Sequence, residues 1–226
     1  MGFFDKIFGS KSETNNTVSS VNNANQKPNV DKVVNANKQP VLNLKKNDVL
    51  DLSKTGSDLE NINFAAGWDV PSVGRAFDLD LCAFLRDKNG KLINGSKSVV
   101  YYGSTRGTGL FLNGDNLTGE GDGDDEIISV KLSKIPAECS KITFAVVIYS
   151  ARSRRQYFGA VKNAYVRLVD KDDRDRELCR YSLTEDGGEN TAIIFAELNR
   201  ENGGWAFKAI GEYLDATIDD LAKSFR

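Results

Sequence analysis

The sequence is poor in the side chains that build transition-metal sites and disulfide frameworks. It contains no histidine and only three cysteines, Cys82, Cys139 and Cys179, which are far apart and form no Cys-x-x-Cys pair. Zinc and copper sites in proteins depend on imidazole and thiolate ligands, so the sequence argues against both metals. Scattered cysteines in odd number indicate no disulfide framework and fit a reducing compartment, so we expect each to be a small core residue.

The chain also lacks a long apolar run, a secretory signal and an excess of basic charge. No run approaches the roughly 18 residues of a membrane-spanning helix. The first ten residues, MGFFDKIFGS, lack the apolar run of about 7–15 residues that a secretory signal needs. The 30 basic and 32 acidic residues leave a net charge of −2, whereas nucleic-acid-binding domains are usually basic. We therefore expect a cytoplasmic protein that binds no nucleic acid.

The sequence does contain a dense acidic segment, residues 114–126, which reads GDNLTGEGDGDDE and holds no basic residue. Its carboxylates repel one another unless the loop is splayed into water or a cation lies among them. Its glycines let the backbone turn oxygen atoms inward. Clustered oxygens of this kind favour a hard cation, calcium more than magnesium. The candidate ligands are Gly114, Asp115, Asn116, Gly119, Glu120, Asp122, Asp124, Asp125 and Glu126.

The acidic segment also has a simpler interpretation, because glycine-rich acidic loops are often only solvated or disordered. It is not an EF-hand loop. Counted from Asp115, the third and fifth positions are Leu117 and Gly119, where that motif needs side chains that carry oxygen.

Residues 1–40 differ in character from the rest of the chain. Residues 1–9, MGFFDKIFG, place three phenylalanines and Ile7 on one face of a short helix, which could lie in a membrane interface or dock on a partner. Alternatively, this segment packs on its own domain. Residues 10–40 are rich in Asn, Ser, Lys and Gln, which is typical of a flexible linker. We predict a disordered N-terminal extension, with residues 1–9 as an amphipathic anchor.

Residues 41–226 consist of short apolar runs separated by turn signals. We count about nine or ten strands, closed by a helix over residues 212–226. Residues 141–151 are apolar on both strand faces, which indicates a central strand. There is no βαβ rhythm, so the sequence predicts an all-β fold. We expect a β-sandwich of two mainly antiparallel sheets with a short C-terminal helix.

Three aspartates outside the acidic segment could extend the metal site. Asp78 and Asp80 share the strand face opposite to the apolar residues, because successive side chains of a strand alternate. Asp69 ends the preceding predicted strand. Loops and strand ends gather at the ends of a sandwich, where these carboxylates could complete the ligands of one or two calcium ions. The alternative for Asp78 and Asp80 is an outward, solvated strand face.

Two further groups allow two interpretations each. The three arginines in residues 151–156 could bind a phosphate, a carboxylate or an anionic lipid head group. They could instead pair with nearby acids such as Glu185 and Asp186. We expect Trp68 and Trp205 to pack in the core or at the end of the sandwich. The alternative is that one of them forms a platform for a sugar ring.

Several motifs resemble the bacterial tellurium-resistance TerD family, over about residues 41–226. They are GWD (67–69), FDLDLCAFL (77–85), GDNLTGEGDGDDEII (114–128), ARSRRQYFGAVKNAYVRLV (151–169), RYSLTEDGGENTAIIFAEL (180–198) and WAFKAIG (205–211). The resemblance implies a β-sandwich that binds calcium through acidic residues and serves the response to tellurite, phage and pore-forming colicins. It also implies a membrane-linked complex with other Ter-type proteins, including the membrane protein TerC.

The chain departs from the family pattern in two places. Many members carry Tyr-Asn-Asn before the acidic segment, where this chain has Tyr101-Tyr102-Gly103-Ser104. If an amide oxygen there belongs to the metal shell, this chain has lost it, which leaves the number and affinity of the ions open. Residues 1–40 are an addition to the pattern.

The sequence supports two main hypotheses about function. The first is a calcium-binding, non-enzymatic adaptor, held at the inner face of the membrane or on a partner by residues 1–9, because the acids come without a positioned base or nucleophile. The alternative is a metal-dependent phosphoester hydrolase, in which two metals about 3.5–4 Å apart activate water. The lack of histidine removes its usual general acid–base. A metal-dependent lectin, with Trp68 or Trp205 stacking on a sugar, is a further alternative.

Overall fold

The computed structural model describes residues 41–54, 59–70, 74–93, 95, 97–114, 116–120, 123–183, 187–201 and 203–226. The predicted anchor and linker, residues 1–9 and 10–40, lie outside the described residues. The same holds for the candidate ligands Asp115 and Asp122 and for Glu185 and Asp186. The expectations about these residues therefore stay predictions.

The described residues form thirteen strands, two short α-helices and three 3₁₀ turns. The strands are β1 (Leu42–Asn43), β2 (Val49–Asp51), β3 (Asn61–Asp69), β4 (Leu79–Arg86), β5 (Val99–Val100), β6 (Arg106–Gly107), β7 (Leu110–Leu112), β8 (Glu126–Lys131), β9 (Lys141–Ile148), β10 (Lys162–Asp170), β11 (Arg176–Ser182), β12 (Ala192–Glu201) and β13 (Gly204–Leu214). The helices are α1 (Ala151–Arg154) and α2 (Ile218–Ser224), and the 3₁₀ turns are Leu52–Lys54, Leu132–Lys134 and Phe158–Ala160.

The strands form two sheets, which confirms the all-β sandwich expected from the sequence. Sheet A has seven strands in the order β1-β11-β10-β3-β8-β7-β6, and sheet B has six in the order β2-β13-β12-β9-β4-β5. Only the β1–β11 pair among these is parallel. Buried aromatic rings join the two sheets, and the rings of Phe64 in β3 and Phe144 in β9 stack at 4.0 Å between centroids. Stacking of this kind adds to the free energy gained by burying the rings.

Strand β4 shows why the alternating pattern of the sequence specifies the layers. Leu79, Leu81 and Leu85 lie in the core between the sheets. Cys82 and Phe84 lie on the outer face of sheet B, in a second cluster with residues of α2. Strand β9 lies between β12 and β4, so the prediction of a central strand is confirmed. All three cysteines are buried and free, as expected.

The C-terminal helix is shorter than the pattern of residues 212–226 predicts. Strand β13 continues to Leu214, and α2 begins only at Ile218. The Thr217 side chain accepts a hydrogen bond from the Asp220 amide, and Asp220 in turn accepts from the Thr217 amide, which is a capping box. Because this motif satisfies amides that a helix start leaves unpaired, it defines where α2 begins. Within the described part of the chain, neither helix has the length and apolar character needed to cross a membrane.

Candidate metal site

The candidate site lies where the two sheets approach each other, at the end of β3 and the starts of β4 and β8. Glu126, the first residue of β8, is 1% exposed and belongs to sheet A. Its Oε2 atom nevertheless accepts a hydrogen bond of 2.6 Å from the amide of Leu81 in sheet B. The Leu81 amide is free of strand pairing on this side because β5 pairs with β4 only at Ala83 and Phe84. The short β5 therefore leaves a place where a carboxylate can bridge the sheets.

The acidic segment is attached to the end of β3 by its last residues and by Asn116. The Asp125 amide donates to Ala66 O at 2.9 Å, and Asp125 Oδ2 accepts from the amide of Trp68 at 2.9 Å. The Asn116 side chain donates to Asp125 Oδ1 at 2.9 Å and accepts from the amide of Gly119 at 3.0 Å. Asn116 and Asp125 thus hold the described part of the loop by conventional hydrogen bonds.

Gly119 is required by a close approach of the loop to Trp68. Its φ angle is +75°, a conformation that favours glycine. A Cβ atom at this position would collide with Trp68 Nε1. Trp68 is 5% exposed, and its indole N–H has no hydrogen-bond acceptor among the described residues. A buried N–H group without an acceptor costs free energy. An oxygen acceptor beside the Trp68 indole would therefore be favourable.

Asp124 is held by side chains of sheet A. Both of its oxygens accept hydrogen bonds from Arg167, Nε to Oδ1 at 2.8 Å and Nη2 to Oδ2 at 2.7 Å. Tyr165 donates its hydroxyl to Gly123 O at 2.8 Å. Arg167 also pairs with Glu177 at 2.7 Å. The hydrogen bond with Asp124 raises the pKa of Arg167, as expected for a bidentate pair that favours the charged form.

Asp78 and Asp80 lie on the face opposite to the leucines of β4, as predicted, but the solvated alternative is wrong. Asp78 and Asp80 are only 5% and 3% exposed. Asp78 Oδ2 pairs with Arg154 Nη1 at 3.0 Å. A buried carboxylate needs such a partner, since desolvation of an unpaired charge is costly.

Two of the three arginines in residues 151–156 form ion pairs, which agrees with the structural interpretation. Arg154 pairs with Asp78, and Arg152 pairs with Asp215 at 2.8 Å. The acids named from the sequence, Glu185 and Asp186, lie outside the described residues. Helix α1 follows β9 closely, and this brings Arg154 back over the start of β4.

Perturbed pKa values identify two groups of carboxylates. Burial raises the pKa of Asp125, and the nearby charges of Asp124 and Asp69 raise it further, against the hydrogen bond from the Trp68 amide. Burial likewise raises the pKa of the Cys82 thiol, and the charges of Asp80 and Glu126 add to this effect. One group is therefore Asp69, Asp124 and Asp125, and the other is Asp80 and Glu126.

The structure does not assemble every predicted ligand. Asp69 Oδ2 accepts from the Asn163 side chain at 2.6 Å, Glu120 is exposed, and Gly114 adopts a φ angle of +86°. Among the residues that the structure describes, no three acidic or thiol side chains lie close enough to hold a metal ion. The described oxygens are of the type that calcium prefers, and the predicted ligands Asp115 and Asp122 lie outside the described residues.

Sequence reasoning missed the side chains that hold the acids. Trp68 was assigned to the core, which is correct, but its indole also faces the loop. Tyr165 and Arg167 alternate with the apolar residues of β10, so the pattern placed them outward without naming their partner. Asp124 is more than forty residues away in the chain, and only the pairing of β10 with β3 brings the two together.

Comparison with known proteins decides the family. A family model described as TerD domain matches residues 41–225. The chain belongs to the TerD family. The TerD match therefore includes every described strand, both helices and the candidate metal site.

Curated relatives agree with this assignment. The tellurium resistance protein TerD of Serratia marcescens is 45% identical over 173 residues, which cover 76% of this chain and 90% of the relative. General stress protein 16U of Bacillus subtilis is 43% identical over 187 residues, which cover 81% of this chain and 96% of the relative. These two relatives are named for tellurium resistance and for general stress.

A solved structure shares the fold. A homologue of telluride resistance protein (TerD) from Streptomyces coelicolor A3(2) superposes with a TM-score of 0.57 and 22% identity. The match covers 73% of this chain and 95% of the homologue. At this identity the similarity supports the sandwich architecture alone.

Proposed function

We propose that this TerD-family protein is a calcium-binding, non-enzymatic adaptor of the bacterial stress response. In this proposal it acts in a membrane-linked complex with other Ter-type proteins, including a TerC-like membrane protein. The observation that carries the calcium proposal is the pair of buried carboxylates Asp80 and Glu126. They come from different sheets, are 3% and 1% exposed, and both act on the Cys82 thiol.

Two buried carboxylates near one another repel, and the repulsion is stronger in a medium of low dielectric constant than in water. A divalent cation bound by both carboxylates would replace this repulsion with attraction. When bound, calcium would supply charge neutralisation and a fixed set of oxygen–metal bonds to the acidic segment. Glu126, Asp80 and the oxygens of residues 114–125 would hold it, with one or two ions in total.

Two features of the protein itself support an ion at this place. The unpaired indole N–H of Trp68 faces Gly119, and this donor suits a carboxylate oxygen or a metal-bound water. Burial raises the pKa of Asp125, and the like charges of Asp124 and Asp69 raise it further, so a nearby cation would lower the free energy of its ionised form.

The adaptor role is supported by the way the remaining acids are used. Asp78 and Asp124 are engaged by Arg154 and Arg167, so they hold the architecture of the site. The relatives are named as resistance and stress proteins rather than as enzymes. Binding of calcium would then change the charge and order of one end of the sandwich, on which recognition of a partner would depend.

Calcium titration by calorimetry, with a thermal melt at each step, tests the proposal. At a free calcium concentration about a hundredfold above Kd, binding to the folded state alone adds about 2.7 kcal/mol, or roughly 5–11 °C for a protein of this size. Glu126→Gln should abolish most of the heat and of the shift. Glu201→Gln, in the β12–β13 hairpin at the opposite end of sheet B, should leave both unchanged.

The same samples separate the adaptor from the hydrolase. Equal melting temperatures in chelator and in millimolar calcium would refute the calcium proposal. Calcium-dependent hydrolysis of bis(p-nitrophenyl) phosphate that disappears in Glu126→Gln would favour the hydrolase over the adaptor. Calcium binding without turnover is the result that we expect.

A further inference from the structure

Three tyrosines form an exposed aromatic surface at the end of sheet B, and we call Tyr101, Tyr102 and Tyr149 the tyrosine patch. Tyr102 and Tyr149 are 41% and 39% exposed, which makes them two of the few large hydrophobic side chains that the described surface exposes. Their ring centroids are 5.6 Å apart at 85°, and those of Tyr101 and Tyr102 are 5.3 Å apart at 83°. Edge-to-face contacts of this kind hold the rings in fixed orientations.

The turn that carries Tyr101 and Tyr102 fixes the position of the Tyr101 ring. Tyr101 and Ser104 are joined by a β-bridge with hydrogen bonds of 3.1 and 2.8 Å. A Cβ atom on Gly103 would lie 2.6 Å from the Tyr101 ring, so a larger residue there would displace the ring. Tyr101 also packs against the hydrophobic cluster under α2, which anchors the patch to the sandwich.

The tyrosine patch already receives one guanidinium group from its own chain. Arg154 Cζ lies 4.8 Å from the centroid of the Tyr149 ring while the same side chain pairs with Asp78. Arginine stacks on aromatic faces and pairs with carboxylates at once, because its guanidinium is planar and weakly hydrated. The Tyr149 ring thus already contacts a guanidinium group.

The surroundings of Tyr102 are negatively charged. Burial raises the pKa of the Tyr102 phenol, and the charges of Asp80 and, more weakly, Asp219 raise it further. Asp219 lies in the first turn of α2, next to the patch. A cation at the exposed part of the Tyr102 ring would therefore be attracted by the ring and by carboxylates together.

We propose that the tyrosine patch is a docking surface for an arginine-bearing segment of a partner protein, with Tyr102 as its main contact. Tyr102 is the most exposed of the three rings and contacts both of the others edge to face. The proposal goes beyond calcium binding, since none of the three tyrosines is a proposed ligand.

NMR titration of the full chain with the peptide acetyl-Gly-Arg-Gly-Arg-Gly-amide tests the proposal. The control peptide has citrulline in place of each arginine, which keeps the shape and removes the charge. We expect saturable shifts at the ring signals of Tyr102 and Tyr149, in chelator as well as in calcium. The citrulline peptide should bind about threefold to tenfold more weakly, the range that a cation–π contact at a partly exposed site supports.

Variants locate the binding site. Tyr102→Asn, which removes the aromatic ring, and Tyr149→Ala should each weaken arginine-peptide binding, whereas Tyr102→Phe should retain it. The matched control is Phe111→Ala on sheet A, where Arg106 lies 4.4 Å above the Phe111 ring. This change removes an aromatic–arginine contact elsewhere and should leave binding unchanged. The dispersion of the spectra shows whether each variant is folded. If Tyr102→Asn does not fold, Tyr102→Phe and Tyr149→Ala still test the proposal.

Three results would overturn the docking proposal. They are equal binding of the arginine and citrulline peptides, equal loss in Phe111→Ala and in the tyrosine variants, and shifts spread over the acidic surface without a maximum at the patch. Calcium titration distinguishes the two proposals. Peptide binding that persists when calcium fails to bind would refute the metal site alone.

Discussion

Asp124 and Asp125 are neighbours in the chain with different environments. Asp124 gives both oxygens to Arg167, whereas Asp125 accepts an amide and lies close to the like charges of Asp69 and Asp124. Because the pKa of Asp125 is raised by folding, ionisation of this carboxyl costs stability as the pH rises through its folded pKa. The acidic segment therefore stores electrostatic repulsion at neutral pH that a cation would remove.

Replacement of Asp69 tests this account. Asp69→Asn removes one like charge, so the pKa of Asp125 should move back toward its ordinary value and stability in chelator at neutral pH should not fall. Carboxyl carbon shifts followed by NMR against pH measure the first effect, and thermal melts measure the second. Asp173→Asn, an exposed acid in the β10–β11 turn, is the control and should leave Asp125 unchanged. An unchanged Asp125 pKa in Asp69→Asn would contradict the account.

At the scale of elements, α2 closes the outer face of sheet B. Leu221 and Phe225 pack on Cys82 and Phe84 of β4 in one buried cluster. A helix of seven residues is too short to be stable in isolation, so packing and capping must hold it. Its first turn also carries Asp219 to the tyrosine patch.

The capping box gives a prediction for this element. Thr217→Ala should lower the free energy of unfolding by about 1 kcal/mol, or roughly 2–4 °C in melting temperature. The hydrogen bonds from Thr217 lower the pKa of Asp220. A lowered pKa gives stability that is present at neutral pH and is lost as the pH falls through the folded pKa. The difference between Thr217→Ala and the parent protein should therefore shrink in acid.

Chemical denaturation at several pH values measures this effect. Ser224→Ala, at the other end of α2, removes a hydroxyl that donates to Leu221 O and provides a matched control whose effect should not follow Asp220. A penalty for Thr217→Ala that stays constant from neutral to strongly acidic pH would argue against the reciprocal cap.

At the scale of the whole molecule, the proposed adaptor role requires that the TerD domain reach a membrane or a partner. Our hypothesis from the sequence gives that role to residues 1–9, with residues 10–40 as the tether, and the alternative is that residues 1–9 pack on their own domain. We expect the full chain to sediment with anionic liposomes and a chain without residues 1–9 to remain in solution, because the apolar face and its three phenylalanines would be lost. A variant with Asp5→Asn keeps that face and should still sediment. Equal sedimentation of the full and shortened chains would end this hypothesis.

Much of the sandwich was predictable because strands carry a local signal. The alternation along β4 and β8 and the apolar character of β9 set which side chains enter the core, and turn residues marked the β10–β11 and β12–β13 hairpins. The start of α2 was placed too early because Leu214 fits a helical period as well as a strand. The pairing of β13 with β12 and the capping box resolve this ambiguity.

The sequence by itself determined the layered β fold, the family and the set of acids from which a calcium site could be built, because periodicity and motifs are properties of neighbouring residues. Only the tertiary structure decided how those acids are used. Arg154 and Arg167 engage Asp78 and Asp124, and Glu126 crosses to the opposite sheet. These contacts join residues 40 or more positions apart. They depend on strand order and register, which bring distant side chains within hydrogen-bond reach.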